Sequence, residues 1–291
     1  MPVIFRNPRL DDDFIDVPGV RAGLPAAAIP SIVRPYEQGR LICLPDLKLD
    51  LDHDFWADLP SEGRPRLKKL SSSPGKGDFA RDPLLERRLR EAAIPSDLER
   101  RLKREIHRVY EQVLPIYEAV FSGYRFVRRQ VVWRLNTIRN ENMHLDTYPT
   151  EFEEHFARLF INLDREPRIW MTSWSMEALF RRFGGRLPPG SQLGDPGEIR
   201  AALNDLAFGG RSNIWWDQQP RHVAHFAAGD VWAVDSRQLA HQIFYGRRAV
   251  SIDFFVDPQS MADPGRQYLA LAETLRARLP APSPAVAVAA E

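Results

Sequence analysis

The sequence predicts an α+β protein with a barrel or jelly roll of short β-strands at its core and helices at its flanks. Seven short segments with β-type patterns follow residue 123. One amphipathic helix precedes them, and two short helical segments interrupt them. Many short strands separated by turn residues are typical of barrels and jelly rolls.

Residues 1–95 are expected to form extended and loop segments that pack on this core. Leu41–Leu44 is the clearest strand among them, and residues 61–82 are rich in Ser, Gly, Pro and Lys, which favours an exposed loop. A supporting helix is predicted over residues 96–122. Ser96 and Glu99 have the spacing of a capping box. Apolar residues then recur every three or four positions, from Leu98 to Tyr117.

Residues 123–279 are predicted to form the β core. Its strands are expected at 131–138, 159–163, 169–174, 212–216, 223–226, 231–234 and 249–256. A helical insert is expected over residues 175–210, with helices at Met176–Phe183 and Glu198–Leu206. Pro and Ala dominate residues 280–291, which favours a disordered tail.

Composition excludes several classes of protein. The net charge of +1 argues against bulk binding to nucleic acid, and the single cysteine, Cys43, excludes a disulfide framework and multi-cysteine metal sites. No apolar run is long enough to span a bilayer, and Asp11, Asp12 and Asp13 stand where a signal peptide would be apolar. We therefore expect a cytoplasmic protein whose membrane contact, if any, is peripheral. Its oligomeric state is open.

A candidate metal site begins at His144 and Asp146. These residues are two apart, so in an extended chain both side chains project from one face. An imidazole and a carboxylate are two thirds of the facial triad found in non-haem iron(II) oxygenases. His241, 95 residues after Asp146, is the predicted third ligand. An H-x-D triplet by itself is also common in surface turns.

Arg248, seven residues after His241, is the predicted ligand of an anionic cosubstrate. Alternation places Arg248 on one face with Val250, Ile252 and Phe254, and this apolar set is expected to line the barrel interior. A buried arginine needs an anionic partner. A dicarboxylate bound to the metal at one end supplies such a partner at the other.

The remaining histidines have other interpretations. His222 and His225 lie three residues apart, which in a strand puts them on opposite faces, so both cannot face one metal. We interpret one of them as exposed and the other as part of the core. His155 follows three glutamates and is expected on a solvated surface.

Three stretches resemble the Kdo hydroxylases, bacterial iron(II)/2-oxoglutarate oxygenases that act on the Kdo sugar of lipopolysaccharide. They are Arg139–Tyr148, Gly229–Trp232 and Ser236–Gln242. The resemblance implies a double-stranded β-helix (jelly-roll or cupin-like) core. It also implies iron on His144, Asp146 and His241, with O2 and 2-oxoglutarate as cosubstrates and Arg248 on the C5 carboxylate of 2-oxoglutarate.

The implied reaction is hydroxylation at C3 of a Kdo residue on a lipid A precursor. No lysine follows Lys103, so cationic contacts to this substrate must come from arginines, and Arg139 is the candidate. The sequence leaves other functions open. They are an oxygenase of another small molecule or a peptide, a zinc or manganese cupin-type enzyme, and a sugar-binding jelly roll without activity.

Overall fold

The computed structural model describes residues 2–20, 26–60, 69–72, 82–135, 137–148, 153–189, 193, 195–209 and 219–279. Its strands are β1 Val3–Phe5, β2 Phe14–Asp16, β3 Leu41–Lys48, β4 Lys69–Ser72, β5 Phe126–Arg134, β6 Ile138–Arg139, β7 His155–Asn162, β8 Arg168–Ser175, β9 His222–Phe226, β10 Asp230–Ala233, β11 Leu239–Gly246 and β12 Ala249–Val256. Its α-helices are α1 Ile29–Glu37, α2 His53–Asp58, α3 Pro83–Ala92, α4 Ser96–Val120, α5 Met176–Phe183, α6 Pro196–Phe208 and α7 Tyr268–Arg276.

Two sheets face each other and enclose the interior of a double-stranded β-helix. One has five strands in the order β1-β9-β8-β11-β6, and the other has seven in the order β2-β3-β10-β7-β12-β5-β4. An aromatic cluster lies between the sheets, where Trp170 of β8 meets Trp232 of β10 with ring centroids 5.4 Å apart.

The outer face of the seven-stranded sheet is covered by helices. Helix α4 buries an apolar stripe that includes Leu102, Ile106, Val109 and Val113, because these residues recur at helical spacing. The stripe belongs to the same core cluster as Val250, Ile252 and Phe254 of β12. Helices α5, α6 and α7 form a second cluster, which supports Met143 and Leu145 beside the predicted metal ligands.

Several predicted elements are confirmed in place. The helix over residues 96–122 corresponds to α4, the insert contains α5 and α6, and the strand at 249–256 has the predicted bounds. The capping box is wrong, because Pro95 is the N-cap residue of α4 and no side chain caps the helix. The predicted strand at 212–216, the tail at 280–291 and most of the loop at 61–82 lie outside the described residues.

The N-terminal part contains more regular structure than predicted. It includes helices α1, α2 and α3, and its strands extend both sheets, since β1 pairs with β9 and β2 with β3. Strand β11 was not predicted either. No helix in the described part of the chain has the length and apolar character to cross a membrane.

Candidate metal centre and cavity

The three predicted metal ligands lie together. Candidate donor atoms of His144, Asp146 and His241 are all within 4.8 Å of one another. The Oδ1 atom of Asp146 is 3.3 Å from Nε2 of His144 and 3.9 Å from Nε2 of His241. Metal–nitrogen bonds of about 2.1 Å at right angles would put donor atoms about 3 Å apart. The arrangement is therefore close to that of a facial triad.

The backbone brings these ligands together from two parts of the chain. His144 and His241 exchange reciprocal hydrogen bonds as an antiparallel bridge, with N···O distances of 3.0 and 2.9 Å. The amide of Asp146 donates to the carbonyl of Ser236 at 2.9 Å. The segment 142–146 is thus held beside β11, with its H-x-D side chains on the β11 side.

Hydrogen bonds to the backbone orient both imidazoles. Nδ1 of His144 lies 2.7 Å from the carbonyl of Asn142, and Nδ1 of His241 lies 3.2 Å from the carbonyl of Leu239. A carbonyl only accepts, so each Nδ1 carries a proton, and in the neutral form of each ring the lone pair is on Nε2. This is the tautomer that a metal ligand needs.

The electrostatics of the site favour neutral imidazole at His241 and an ionised carboxylate at Asp146. Burial lowers the pKa of His241 to about 4, against the opposing charge of Asp146. Burial alone would raise the pKa of Asp146, but the hydrogen bond from His144 and the nearby His241 and Arg158 hold it well below its usual range. Burial alone would lower the pKa of His144, but the hydrogen bond and charge of Asp146, together with the carbonyl of Asn142 and the charge of Glu141, raise it.

The ligands face a cavity of about 630 Å³ between the two sheets. Arginines and carboxylates are balanced among its described lining residues, which include Arg134, Arg158, Arg168, Glu141, Asp146 and Asp253. Arg158 pairs with both Asp146 and Asp253. The other two arginines among the described lining residues are Arg134 and Arg168.

Arg168 is buried, with 2% of its surface exposed, and its Nε and Nη1 atoms have no hydrogen-bonding partner among the described residues. Burial lowers its pKa to about 9, and Arg134 adds to this effect. Arg168 shares a face of β8 with Trp170, whose ring stacks on His241 at 5.1 Å between centroids. A buried guanidinium with two donor atoms unpaired among the described residues therefore lies in the same cavity as the predicted metal ligands.

Arg248 is not in this cavity, so the predicted orientation of β12 is wrong. Its Nε and Nη2 atoms donate to the carbonyls of Trp56 and Leu59, at 3.2 and 2.9 Å. Ala249, Ser251 and Asp253 of one face line the cavity, whereas Ile252 and Phe254 of the other face belong to the core cluster that contains the apolar stripe of α4. The apolar face of β12 was expected in the barrel interior. It faces outward instead, because helices cover the outside of the sheet, and the polar face of β12 lines the cavity.

The other predicted residues lie apart from the metal ligands. Arg139 is exposed on β6 and lines a separate depression with Arg247 and Arg248. Both ring nitrogens of His222 are occupied, one by the amide of Asn7 and one by the carbonyl of Asp11. His155 is fully buried, contrary to the prediction of a solvated surface.

Sequence reasoning missed Arg158 and Arg168, because the predicted strands were begun one residue too late to contain them. Each of them is the one charged residue among the described residues on the cavity face of its strand. Arg158 alternates with Phe156 and Phe160, and Arg168 precedes Trp170 by two positions. A lone arginine among inward-facing aromatic residues is the signal that would have identified both.

Solved structures share this fold. A Kdo hydroxylase, KdoO, described as a non-heme Fe(II) α-ketoglutarate-dependent dioxygenase and solved with succinate and Fe(III), matches with a TM-score of 0.69 and 17% sequence identity, over 90% of this chain and 95% of that chain. Its complexes with α-ketoglutarate and Fe(III) and with cobalt(II) match at 0.68 and 0.67, with the same identity and coverage. No family model and no curated protein matches the sequence. At this identity the similarity shows the double-stranded β-helix fold.

Proposed function

We propose that this protein is an iron(II)- and 2-oxoglutarate-dependent dioxygenase. The observation that carries the proposal is the presence, in one cavity, of a two-histidine, one-carboxylate cluster and of a buried arginine, Arg168, with two donor atoms unpaired among the described residues. Such a cluster leaves coordination positions open for a cosubstrate and oxygen. The shared fold with KdoO, which was solved with Fe(III) and α-ketoglutarate, supports the same function.

In this proposal, Nε2 of His144, Nε2 of His241 and Oδ1 of Asp146 hold the iron. Iron(II) with 2-oxoglutarate and O2 would supply the oxidising chemistry that converts a C–H bond to an alcohol; one oxygen atom of O2 would enter the alcohol and the other succinate, with carbon dioxide released. The Nδ1 protons of both histidines stay on backbone carbonyls and keep the rings in place. The Trp170 ring shields one side of His241 from solvent.

We assign the C5 carboxylate of 2-oxoglutarate to Arg168 rather than to Arg248. An unpaired guanidinium in a buried site is unfavourable unless an anion binds it, and a carboxylate matches its fork of donors. Arg248 already donates to two backbone carbonyls outside the cavity. Gly246 gives Arg168 its space, since a Cβ atom there would lie 2.4 Å from Nη1 and 2.8 Å from Cγ of Arg168.

For the substrate, we propose C3 of a Kdo residue in a lipid A precursor, which belongs to the inner core of lipopolysaccharide. The fold match to a Kdo hydroxylase and the three sequence stretches described above support this choice. The reaction would take place at the cytoplasmic face of the inner membrane, with peripheral contact to the lipid. Kdo carries a carboxylate, and the second cavity arginine, Arg134, offers a charge for it.

Anaerobic reconstitution tests both levels of this proposal. Apo protein is titrated with iron(II) and 2-oxoglutarate while the visible charge-transfer absorption of the chelate is followed, and oxygen is then added. We expect one succinate per turnover, and mass spectrometry should show one added oxygen atom in Kdo-containing lipid A. Succinate without any change in the lipid would contradict the Kdo substrate alone, whereas no chelate and no succinate would contradict the oxygenase.

A further inference from the structure

The two oxygens of the Asp146 carboxylate have different surroundings. Oδ1 faces the imidazoles of His144 and His241. Oδ2 points the other way and accepts hydrogen bonds from Nη1 of Arg158 at 2.7 Å and from Oγ of Ser236 at 2.6 Å. The hydroxyl of Tyr148 lies 3.5 Å from the same oxygen. Oδ2 is thus occupied by hydrogen bonds from protein side chains.

The side chain of Arg158 is itself held in place by hydrogen bonds to other residues. It lies on β7 directly opposite Asp253 of β12, and its Nε donates to Oδ1 of that carboxylate. Its Nη2 donates to the hydroxyl of Tyr148 at 2.5 Å, and its Nη1 also donates to Oγ of Ser236. Only 7% of the residue is exposed. A guanidinium held at both ends presents its remaining donor in a defined direction.

We propose that Arg158 is a positioning residue that binds Oδ2 of Asp146 and leaves Oδ1 as the one oxygen available to the metal. This inference rests on the metal site of the proposed function. Two imidazole nitrogens and one carboxylate oxygen occupy half of an octahedral shell, so a chelating cosubstrate and a further ligand still fit. A carboxylate bound through both oxygens would take one of those positions.

The geometry around Ser236 supports this role. Its hydroxyl accepts from Arg158 and donates to Asp146, while its carbonyl accepts from the amide of Asp146. The same residue therefore fixes both the backbone and the carboxylate of the metal ligand. Asp253 alone would suffice to pair the charge of Arg158, so the additional bonds to Asp146 point to a function in orienting the ligand.

The test measures cobalt(II) binding to the full-length apo protein, without 2-oxoglutarate or substrate. The variants are Arg158→Lys and Ser236→Ala. Arg158→Lys keeps the positive charge but loses the planar set of guanidinium donors, and Ser236→Ala removes the hydroxyl donor with little effect on packing. Ser251→Ala is the matched control, because Ser251 lines the same cavity on β12 and makes no hydrogen bond to Asp146. Affinity is measured by competition with a chelator, and X-ray absorption reports the number of oxygen ligands.

We expect Arg158→Lys to weaken cobalt(II) binding by about 10- to 100-fold, as losses of partners that orient metal ligands do. Ser236→Ala should change affinity in the same direction by a smaller factor, and Ser251→Ala should match the wild type. X-ray absorption should show an additional carboxylate oxygen on the metal in Arg158→Lys. If Arg158→Lys does not fold, Ser236→Ala carries the test with both readouts.

Two negative outcomes are distinct. Wild-type affinity and ligand number in the folded variants would overturn the positioning role and leave the oxygenase proposal intact. A wild-type protein that binds no cobalt(II) would overturn the metal site, and with it both proposals.

Discussion

The side chain of Arg168 is deeply buried, and two of its nitrogen atoms have no hydrogen-bonding partner among the described residues. An uncompensated charge in the interior destabilises the folded state, so selection for stability alone would remove it. Binding sites are where such groups persist, because a ligand supplies the missing partner. The residue is therefore informative about function in a way that the well-paired Arg158 is not.

Arg168→Met should separate stability from cosubstrate binding. We expect the free energy of unfolding in urea to stay equal or to rise by about 0.5–2 kcal/mol, because an unpaired charge is removed. The apparent KM for 2-oxoglutarate should rise by two or more orders of magnitude, since losing one partner of a buried charge pair costs about 3–5 kcal/mol. A folded variant with unchanged KM would remove Arg168 from the 2-oxoglutarate site.

The metal ligands make a second prediction at this scale. Replacing His144, Asp146 or His241 with Ala should abolish stoichiometric iron(II) binding, because two remaining ligands hold the ion weakly. His225→Ala, on the opposite strand face from the cavity, is the control and should bind one iron(II) per chain. Metal analysis after desalting distinguishes these outcomes. Full metal content in His241→Ala would show that the third ligand is elsewhere.

At the scale of the elements, the proposed cosubstrate site depends on the close approach of strands β8 and β11. Gly246, the last residue of β11, leaves room for Arg168 at the start of β8. Gly246→Ala should push the guanidinium away from its position and raise the KM for 2-oxoglutarate. Affinity for cobalt(II) should not change, since the metal ligands lie further along the cavity. Equal kinetics in the variant would mean that Arg168 relaxes without loss of binding.

Some of this architecture was predictable because its patterns are local. Helix α4 repeats every three or four residues, and the H-x-D spacing of His144 and Asp146 in extended chain puts two donors on one face. His241 was identified although β11 was not predicted. Residues of both faces of β11 are buried, so the strand lacks the alternation of polar and apolar residues that reveals a strand.

The orientation of β12 was not predictable from alternation. All eight of its residues are buried, one face against helix α4 and the other against the cavity. The apolar face was assigned to the barrel interior, which holds for a barrel packed with side chains but not for one that binds a polar ligand. Which face the helices cover is a tertiary property, and Arg248 was assigned to the wrong side for this reason.

For the molecule as a whole, His155 links folding to pH. It is fully buried, and its two ring nitrogens have no hydrogen-bonding partner among the described residues. Burial lowers its pKa from 6.5 to about 4. Between these values the unfolded chain binds a proton that the folded protein does not, so stability is complete above the upper value and decreases as the pH falls.

Urea unfolding over the range from pH 6.5 to about pH 4 tests this expectation. One such group lowers the free energy of unfolding by up to about 1.4 kcal/mol per pH unit. His155→Phe, which keeps a ring between Tyr36 and Tyr124, should show a shallower decrease than the wild type. Parallel curves for the two proteins would mean that His155 titrates normally in the folded state.

The bridge between His144 and His241 has a consequence for amide hydrogen exchange. Segment 142–146 belongs to no regular strand. Two reciprocal hydrogen bonds between these residues join it to β11, and the amide of Asp146 donates to the carbonyl of Ser236. A metal ion bound by both side chains would link the same two residues a second time. At a free metal concentration of 100 times Kd, it stabilises the folded state by about 2.7 kcal/mol.

That stabilisation should be localised. Deuterium uptake at the amides of His144 and His241 should slow on addition of cobalt(II), while uptake in helix α4, on the far side of the seven-stranded sheet, should change only as far as global unfolding contributes. Exchange followed by mass spectrometry of short peptides measures both regions in one experiment. The metal site would then also serve to hold segment 142–146 against β11.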